Sequence, residues 1–349
     1  MLKVNPQSPE PEAIARAARC LRDGGLVAFP TETVYGLGVH ALDRSAVLRL
    51  FEAKGRPAND PLIVHVAALT DAAALVLGLP THADRLARAF WPGPLTLVMR
   101  RGPAVPDEVT AGLETVAIRV PAHPVAHALI LASTVPIAAP SANLFSRPSP
   151  TRAEHVLQDL DGRIDMVVDG GATDVGVEST VVDLTTDPPV VLRAGAVSLE
   201  SLRAVVPEVA LAVRPTEADG NMPMPSPGLL SRHYSPRAPM VLYRGRQAST
   251  REAVRAAASA AIATGQRVGV LATDDDVKTF EGLDVTVAGI GDGSRAEHVA
   301  SRLYAALREL DIAAVGLVLA RDFEQEDGLW RAVKDRLQRA AGSVVMVPD

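Results

Sequence analysis

Charged and hydroxyl-bearing side chains gather at the ends of short apolar runs in the first two thirds of the chain. The run Phe29-Pro-Thr-Glu-Thr-Val-Tyr-Gly-Leu-Gly38 leaves a strand and brings hydroxyls and glycines together. Ligands of open α/β sheets bind where strands end, although an ordinary turn with satisfied hydroxyls reads the same way. Lys54-Gly-Arg-Pro57 stands at a helix end and leads through Asp60 to His65. Two cations flanking a glycine suit a phosphate, one as a point charge and one as a fork. A helix C-terminus also favours cations without any ligand. His65 alternates with Ile63 in an apolar strand, where a core role competes with a catalytic one. Arg119 interrupts Val-Ala-Ile-Arg-Val-Pro, and a charge there is costly unless paired. It serves either a structural salt bridge or a carboxylate ligand.

Three further groups follow. Ala139-Pro-Ser-Ala-Asn143, with Ser146, Ser149 and Thr151, is a hydroxyl-rich loop after a buried strand. Val177-Glu-Ser-Thr-Val-Val-Asp183 opens another strand after Gly170, Gly171 and Gly176. Arg193-Ala-Gly195 closes the set. Together these residues suit a polyanion such as a nucleoside triphosphate, beside a second ligand with a carboxylate. The pattern G-x-x-x-x-G-K-[ST] is absent, which excludes a P-loop, and no G-x-G-x-x-G follows a strand. Cys20 lies on the apolar side of a helix and makes a poor nucleophile, and H-E-x-x-H does not occur. Any metal is expected to be Mg2+ carried in with phosphates.

The elements that must position these residues alternate. Pro9–Asp23 reads as a helix ended by Gly24 and Gly25. Asp43 can cap a helix that Gly55 stops. Thr81–Trp91 reads as a third helix. Leu26–Phe29, Pro61–Val66, Leu95–Met99, Val116–Val120, Val135–Ala139, Met166–Val168 and Thr180–Leu184 read as strands. Such alternation predicts an α/β domain, and strands without an intervening helix predict a mixed sheet. Between Pro207 and Pro239 the chain carries seven prolines and little periodicity, which suits a semi-extended linker. Beyond it, strands at 241–243, 267–272, 285–288, 314–319 and 344–347 alternate with helices at 250–264, 295–310 and 330–341. That predicts a second, smaller, Rossmann-like α/β domain. The expected division is a catalytic domain over 1–208, a linker or lid over 209–239 and a C-terminal α/β domain over 240–349.

Composition narrows the function. The chain has 349 residues, 48% of them hydrophobic and 22% charged, with net charge −6 and one cysteine. It carries material for a core, no disulfide framework and no apolar run of membrane-spanning length. These features predict a cytoplasmic protein. Residues 1–212 hold 18 Lys and Arg against 23 Asp and Glu, a net of −5. An RNA-binding module with a concave basic cleft is the alternative to an enzyme. It lacks both a basic stripe and aromatic stacking platforms here.

The motifs FPTETVYGLG, KGRP…PLIVHV, WPGPLTLV, AIRVP, APSAN…SPT, GVESTVVD and RAG are collinear with those of the YrdC-like family, which residues 9–206 resemble. The linker SPGLLSRHYSP resembles that of the long, two-domain form, the threonylcarbamoyl-AMP synthases. The resemblance implies a twisted, open mixed sheet and a nucleotidyltransferase. Its substrates would be L-threonine, bicarbonate and ATP, and its products threonylcarbamoyl-AMP and diphosphate. A downstream tRNA-modifying transferase complex would then pass the group to the adenosine beside the anticodon, as threonylcarbamoyladenosine (t6A). Direct tRNA binding is compatible with the resemblance but not required by it. Carbamoyltransferases sharing this domain carry zinc fingers, which one cysteine does not permit.

By the same resemblance, Thr33, His65, Arg119, Ala139 and Ser179 would hold threonine, with Arg119 on its carboxylate. Arg56, Asp60, Thr115, Ser141, Asn143, Ser149, Arg193 and Tyr234 would hold ATP, and Lys54 and Arg56 would neutralise phosphate. Asp60 stands where the family often has asparagine, an awkward acid beside phosphates unless Mg2+ intervenes. The linker departs from the family's usual pattern early but keeps Arg232-His233-Tyr234, which is expected to act as part of a lid near the nucleotide.

Overall fold

Period-two alternation explains how the central strands come to be covered on both faces. Leu26 and Ala28 turn into one apolar cluster, with Leu37, Leu50, Val64 and Ile118. Val27 and Phe29 turn into another, with Ile14, Leu21, Leu129 and Val168. A strand buried on both sides reads as an unbroken apolar run, as this one does. The computed structural model describes residues 1–212, 224 and 234–348. Among them no helix is long and apolar enough to cross a membrane.

The chain divides into two units. The first comprises Met1–Phe145, Pro150–Asp174 and Glu178–Leu230. Its strands are β1 (Leu2–Lys3), β2 (Val27–Pro30), β3 (Tyr35–His40), β4 (Ile63–His65), β5 (Leu95–Arg100) and β6 (Thr115–Arg119). They continue as β7 (Ile137–Ala138), β8 (Met166–Asp169), β9 (Thr180–Asp183), β10 (Val190–Arg193) and β11 (Ala210–Leu211). They form one mixed sheet in the order β1-β8-β2-β3-β7-β4-β6-β5-β9-β10-β11. Helices Pro11–Arg22 and Pro124–Ser133 bring Ile14, Leu21, Val125 and Leu129 to one face. Helices Arg44–Lys54, Thr81–Phe90 and Ala153–Leu160 bring Leu50, Leu86 and Val156 to the other. The mixed sheet expected from the sequence is the one observed.

Three features differ from expectation. Tyr35–His40 is a strand, paired antiparallel with β2 from Val27↔Gly38 to Pro30↔Tyr35. The ligand-loop reading missed it because the turn before it closes within four residues, through the Thr31 hydroxyl donating to Val34 O at 2.7 Å. Helix Pro124–Ser133 has the sequence PVAHALILAS. Its apolar residues run nearly all round, so it shows no helical period. Strand β11 pairs with β10 and so extends the first sheet past the expected boundary at 208.

The second unit comprises Ser146–Ser149, Val175–Val177 and Ser231–Asp349. Its strands β12 (Met240–Arg244), β13 (Val268–Ala272), β14 (Val285–Gly289), β15 (Leu317–Arg321) and β16 (Ser343–Met346) make a wholly parallel sheet, in the order β14-β13-β15-β12-β16. Helices Gln247–Ala263, Ala296–Ile312 and Trp330–Ala340 connect them, close to the expected positions. The segment Ser146–Ser149 has partners in this unit: Arg147 pairs with Asp311 at 2.7 Å, and Arg308 donates to Pro148 O at 2.5 Å.

Candidate active site

Strand register builds the centre of the first unit. His65 of β4 lies opposite Arg119 of β6, and Arg119 lies opposite Thr96 of β5. Directly opposed residues share a face, so His65, Arg119 and Thr96 form a row across three strands. Thr96 extends it by exchanging a 2.8 Å hydrogen bond with Ser179, just before β9. Arg193, at the end of β10, donates to Ser179 O at 3.0 Å and to Ser179 Oγ at 3.2 Å. Gly195 makes this approach possible: a Cβ there would stand 2.3 Å from the Ser179 carbonyl carbon and the Thr180 nitrogen. A side chain cannot fit at that distance.

Arg119 is 4% exposed and held on three sides. Its Nε donates to Gly93 O at 3.2 Å and its Nη1 to Thr33 Oγ1 at 3.0 Å. Its Nη2 lies 2.8 Å from Glu32 Oε1. Thr33 is fixed in turn by Thr31, whose hydroxyl shares a 2.8 Å bond with it. Thus the turn between β2 and β3 delivers a hydroxyl and a carboxylate to the guanidinium. His65 beside it is neutral, its pKa pushed down to about 3, first by burial and then by the Arg119 cation. Its Nδ1 is buried without a hydrogen-bond partner.

A second group surrounds helix Arg44–Lys54. Asp43 caps it, accepting from Ser45 N at 2.9 Å and Ala46 N at 3.2 Å. Gly55, at φ 60, ends it in the left-handed conformation that glycine adopts without strain. This geometry turns Lys54 inward, where it is 1% exposed. Its Nζ donates to Ser141 O and Asn143 O, each at 2.5 Å. Lysine and the Ser141–Asn143 loop are therefore one assembly. The loop is also tied to the sheet by Ala139 N donating to Ile63 O at 2.9 Å and Ala142 N to Tyr35 O at 2.8 Å. Arg56 folds over the following turn. It donates to Asp60 O at 3.0 Å and Pro61 O at 2.8 Å, and it pairs with Asp60 Oδ2 at 2.9 Å. Asp60, the acid expected to sit awkwardly beside phosphates, is fully buried and neutralised by this arginine. Met224 lies within the linker and donates its N–H to Asn59 O of the same turn at 3.1 Å.

The expected residues thus fall into several places. Thr33, His65, Arg119 and Ser179 belong to one row and its margin. Lys54, Ser141 and Asn143 form one assembly, and Arg56 and Asp60 another. Thr115 opens β6 while Arg119 closes it, so roughly 13 Å of strand separates them. Ser149 and Tyr234 belong to the second unit. There Tyr234, 1% exposed and at φ 64, stacks on Tyr304 at 5.3 Å and lies under the Arg336 guanidinium at 5.5 Å. Arg232 and His233 lie outside the described residues. Sequence reasoning assigned no role to Thr96 or Glu32. Their signals were present: Thr96 is the polar residue inside Leu-Thr-Leu-Val, and Glu32 is the one charge in its glycine-ended motif.

Such an arrangement can grip a carboxylate with a buried guanidinium beside a neutral imidazole, while two cation-anchored loops stand at the ends of neighbouring strands. Comparison with known proteins gives this arrangement a context. Residues 19–195 match the Sua5/YciO/YrdC family, described as "Telomere recombination". Residues 197–342 match the family described as "Threonylcarbamoyl-AMP synthase, C-terminal domain". The chain is 44% identical to a threonylcarbamoyl-AMP synthase of Pyrococcus abyssi, covering 93% of each chain. It is 45% identical to one of Bacillus subtilis, covering 95% of this chain and 94% of that one. The crystal structure of P. abyssi Sua5 complexed with L-threonine superposes with a TM-score of 0.92 at 42% identity, covering 99% of each chain.

Proposed function

The chain belongs to the Sua5/YciO/YrdC family, in the two-domain form of the threonylcarbamoyl-AMP synthases, and we propose that it is such a synthase. It would convert L-threonine, bicarbonate and ATP to threonylcarbamoyl-AMP, diphosphate and water, for the t6A modification of tRNA by a downstream transferase. The observation that carries this reading is Arg119, a buried guanidinium facing Thr33 and flanked in register by neutral His65. That setting suits the carboxylate of an amino acid.

The chemistry asks little of a nucleophilic side chain. Threonine's amine captures carbon dioxide to give a carbamate, a carbamate oxygen attacks the α-phosphorus, and diphosphate leaves. Holding the reactants in line and neutralising charge accounts for catalysis of this kind. Thr33, His65, Arg119, Ala139 and Ser179 are proposed to hold threonine. Arg56, Asp60, Thr115, Ser141, Asn143, Ser149, Arg193 and Tyr234 are proposed to serve the nucleotide. Lys54 and Arg56 set the charge and shape of the loops that receive the phosphates. Mg2+ would come with the triphosphate; among the described residues no three His, Cys, Asp or Glu converge to cage it. The linker beyond β11, through residue 239, is proposed to act as a lid that keeps water from the carbamate and the adenylate. The Met224–Asn59 contact supports that role. A cytoplasmic location is proposed with this function, since ATP and tRNA are its substrates' source and destination.

The test is release of diphosphate from ATP that requires both threonine and bicarbonate, with threonylcarbamoyl-AMP identified by mass. Release that ignores threonine would overturn the reading. Protease protection of 213–233 on adding ATP and threonine together tests the lid.

A further inference from the structure

Glu32 is a buried carboxylate for which neither the fold nor the proposed residue roles account. It is 8% exposed and stands in the turn between β2 and β3. Its Oε1 lies 2.8 Å from Arg119 Nη2. That contact has the distance of an ion pair without the alignment of a hydrogen bond. Both carboxylate oxygens are buried and accept no hydrogen bond. Thr31 and Thr33 on either side bond to each other, and Thr33 rather than Glu32 accepts from Arg119. A buried anion with unfilled lone pairs is expensive, and such exceptions usually mark a place where a ligand completes the set.

The charge pattern identifies that ligand. Glu32 and Arg119 present a negative and a positive group side by side. The zwitterion of an α-amino acid presents the reverse, a carboxylate and an ammonium on one carbon. A guanidinium has five N–H donors. The contacts to Gly93 O, Thr33 Oγ1 and Glu32 engage three sides of it, leaving donors for a substrate carboxylate without evicting Glu32. The neighbouring titratable groups do not supply a cation in place of the ligand. His65 is neutral, and burial holds the pKa of His123 below its usual value against the pull of Glu32 and Asp174.

We propose that Glu32 receives the α-ammonium group of the amino-acid substrate, so that the Glu32–Arg119 pair reads the whole zwitterion. This rests on the amino-acid-binding reading of the site and adds a specificity-determining residue to it. An amino acid would bind tightly, and an analogue with hydroxyl in place of ammonium would not.

Titration calorimetry on the full chain tests it, with L-threonine and 2,3-dihydroxybutanoate as ligands. The wild type should prefer threonine by about 10- to 100-fold, as expected for a charge-assisted contact. Glu32→Gln keeps the side chain's size and should lose that factor for threonine while binding the hydroxy acid as before, so that the preference collapses. Equal weakening of both ligands would mean that Glu32 only braces Arg119. Tighter threonine binding would mean that it occupies the substrate's place. Either overturns the proposal. A wild type that binds both ligands alike overturns it without any variant. A wild type that binds neither overturns the amino-acid reading as well, whereas a preference that survives Glu32→Gln overturns this inference alone.

Discussion

Replacing Arg119 by alanine separates two roles that the structure superimposes on one side chain. The guanidinium holds Thr33 and Gly93 O and faces the Glu32 carboxylate, all within a site where Arg119 is 4% exposed. Arg119→Ala removes the partner of the substrate carboxylate, a loss of roughly 2–4 kcal/mol in threonine binding, or about 30- to 1000-fold. It also strands Glu32 as a buried charge, at about 3–5 kcal/mol of stability. For a unit of some two hundred residues, that lowers the melting temperature by roughly 6–20 °C. The double variant Arg119→Met/Glu32→Met removes both charges and fills the space. It should recover most of the lost stability, since an apolar pair can replace a buried ion pair at little cost. It should recover none of the threonine affinity. Calorimetric titration and thermal melts on the three proteins decide the matter. Unchanged threonine binding in Arg119→Ala would refute the carboxylate role, and a double variant no more stable than the single one would refute the stranded-charge argument.

His65 makes stability depend on pH. Its folded pKa of about 3 lies below the ordinary imidazole value of 6.5, so between these values the unfolded chain binds more protons. Its contribution is complete above pH 6.5 and declines as pH falls towards 3, by about 1.4 kcal/mol per unit. Urea melts at pH 7.5 and pH 5 should therefore show about 2 kcal/mol more loss in the wild type than in His65→Gln; equal losses would count against it. Gly195→Ala places a methyl group against the Ser179 backbone and should cost roughly 1–3 kcal/mol, with threonine binding weakened in the refolded protein. Lys54→Met leaves the Ser141 and Asn143 carbonyls without their shared donor and should cost about 1–3 kcal/mol by denaturant melts, with turnover reduced further. Full activity in that variant would show that the loop stands without the amine.

Local signals carried the parts of this molecule whose partners lie near in sequence. Asp43 and Gly55 bracket helix Arg44–Lys54 closely enough to be read directly. The apolar runs of β2 and β5 bury both faces and read as strands for that reason. What could not be read depends on distant pairing. Thr96 meets Ser179, 83 residues later, and Arg119 meets Thr33, 86 residues earlier. Lys54 looked like a cation at a helix end, and it is one, but its amine serves a loop 87 residues away. Motif resemblance put most of these residues on one list. Register across β4, β6 and β5 is what sets three of their side chains in a row, and no linear pattern contains that register.

The sealed position of Lys54 has a consequence for chemical self-damage. An acyl-adenylate is a mixed anhydride and will acylate an accessible amine. This chain has only four lysines. Lys3 and Lys278 are exposed and Lys334 is half-buried, and none belongs to the residues proposed to hold substrate. Lys54, which sets the charge of the loops proposed to receive the phosphates, is 1% exposed, with its Nζ engaged by two carbonyl oxygens. Positive charge elsewhere among those residues comes from arginines, whose guanidinium groups stay protonated and are poor nucleophiles. A catalyst assembled this way can retain a reactive anhydride without consuming itself.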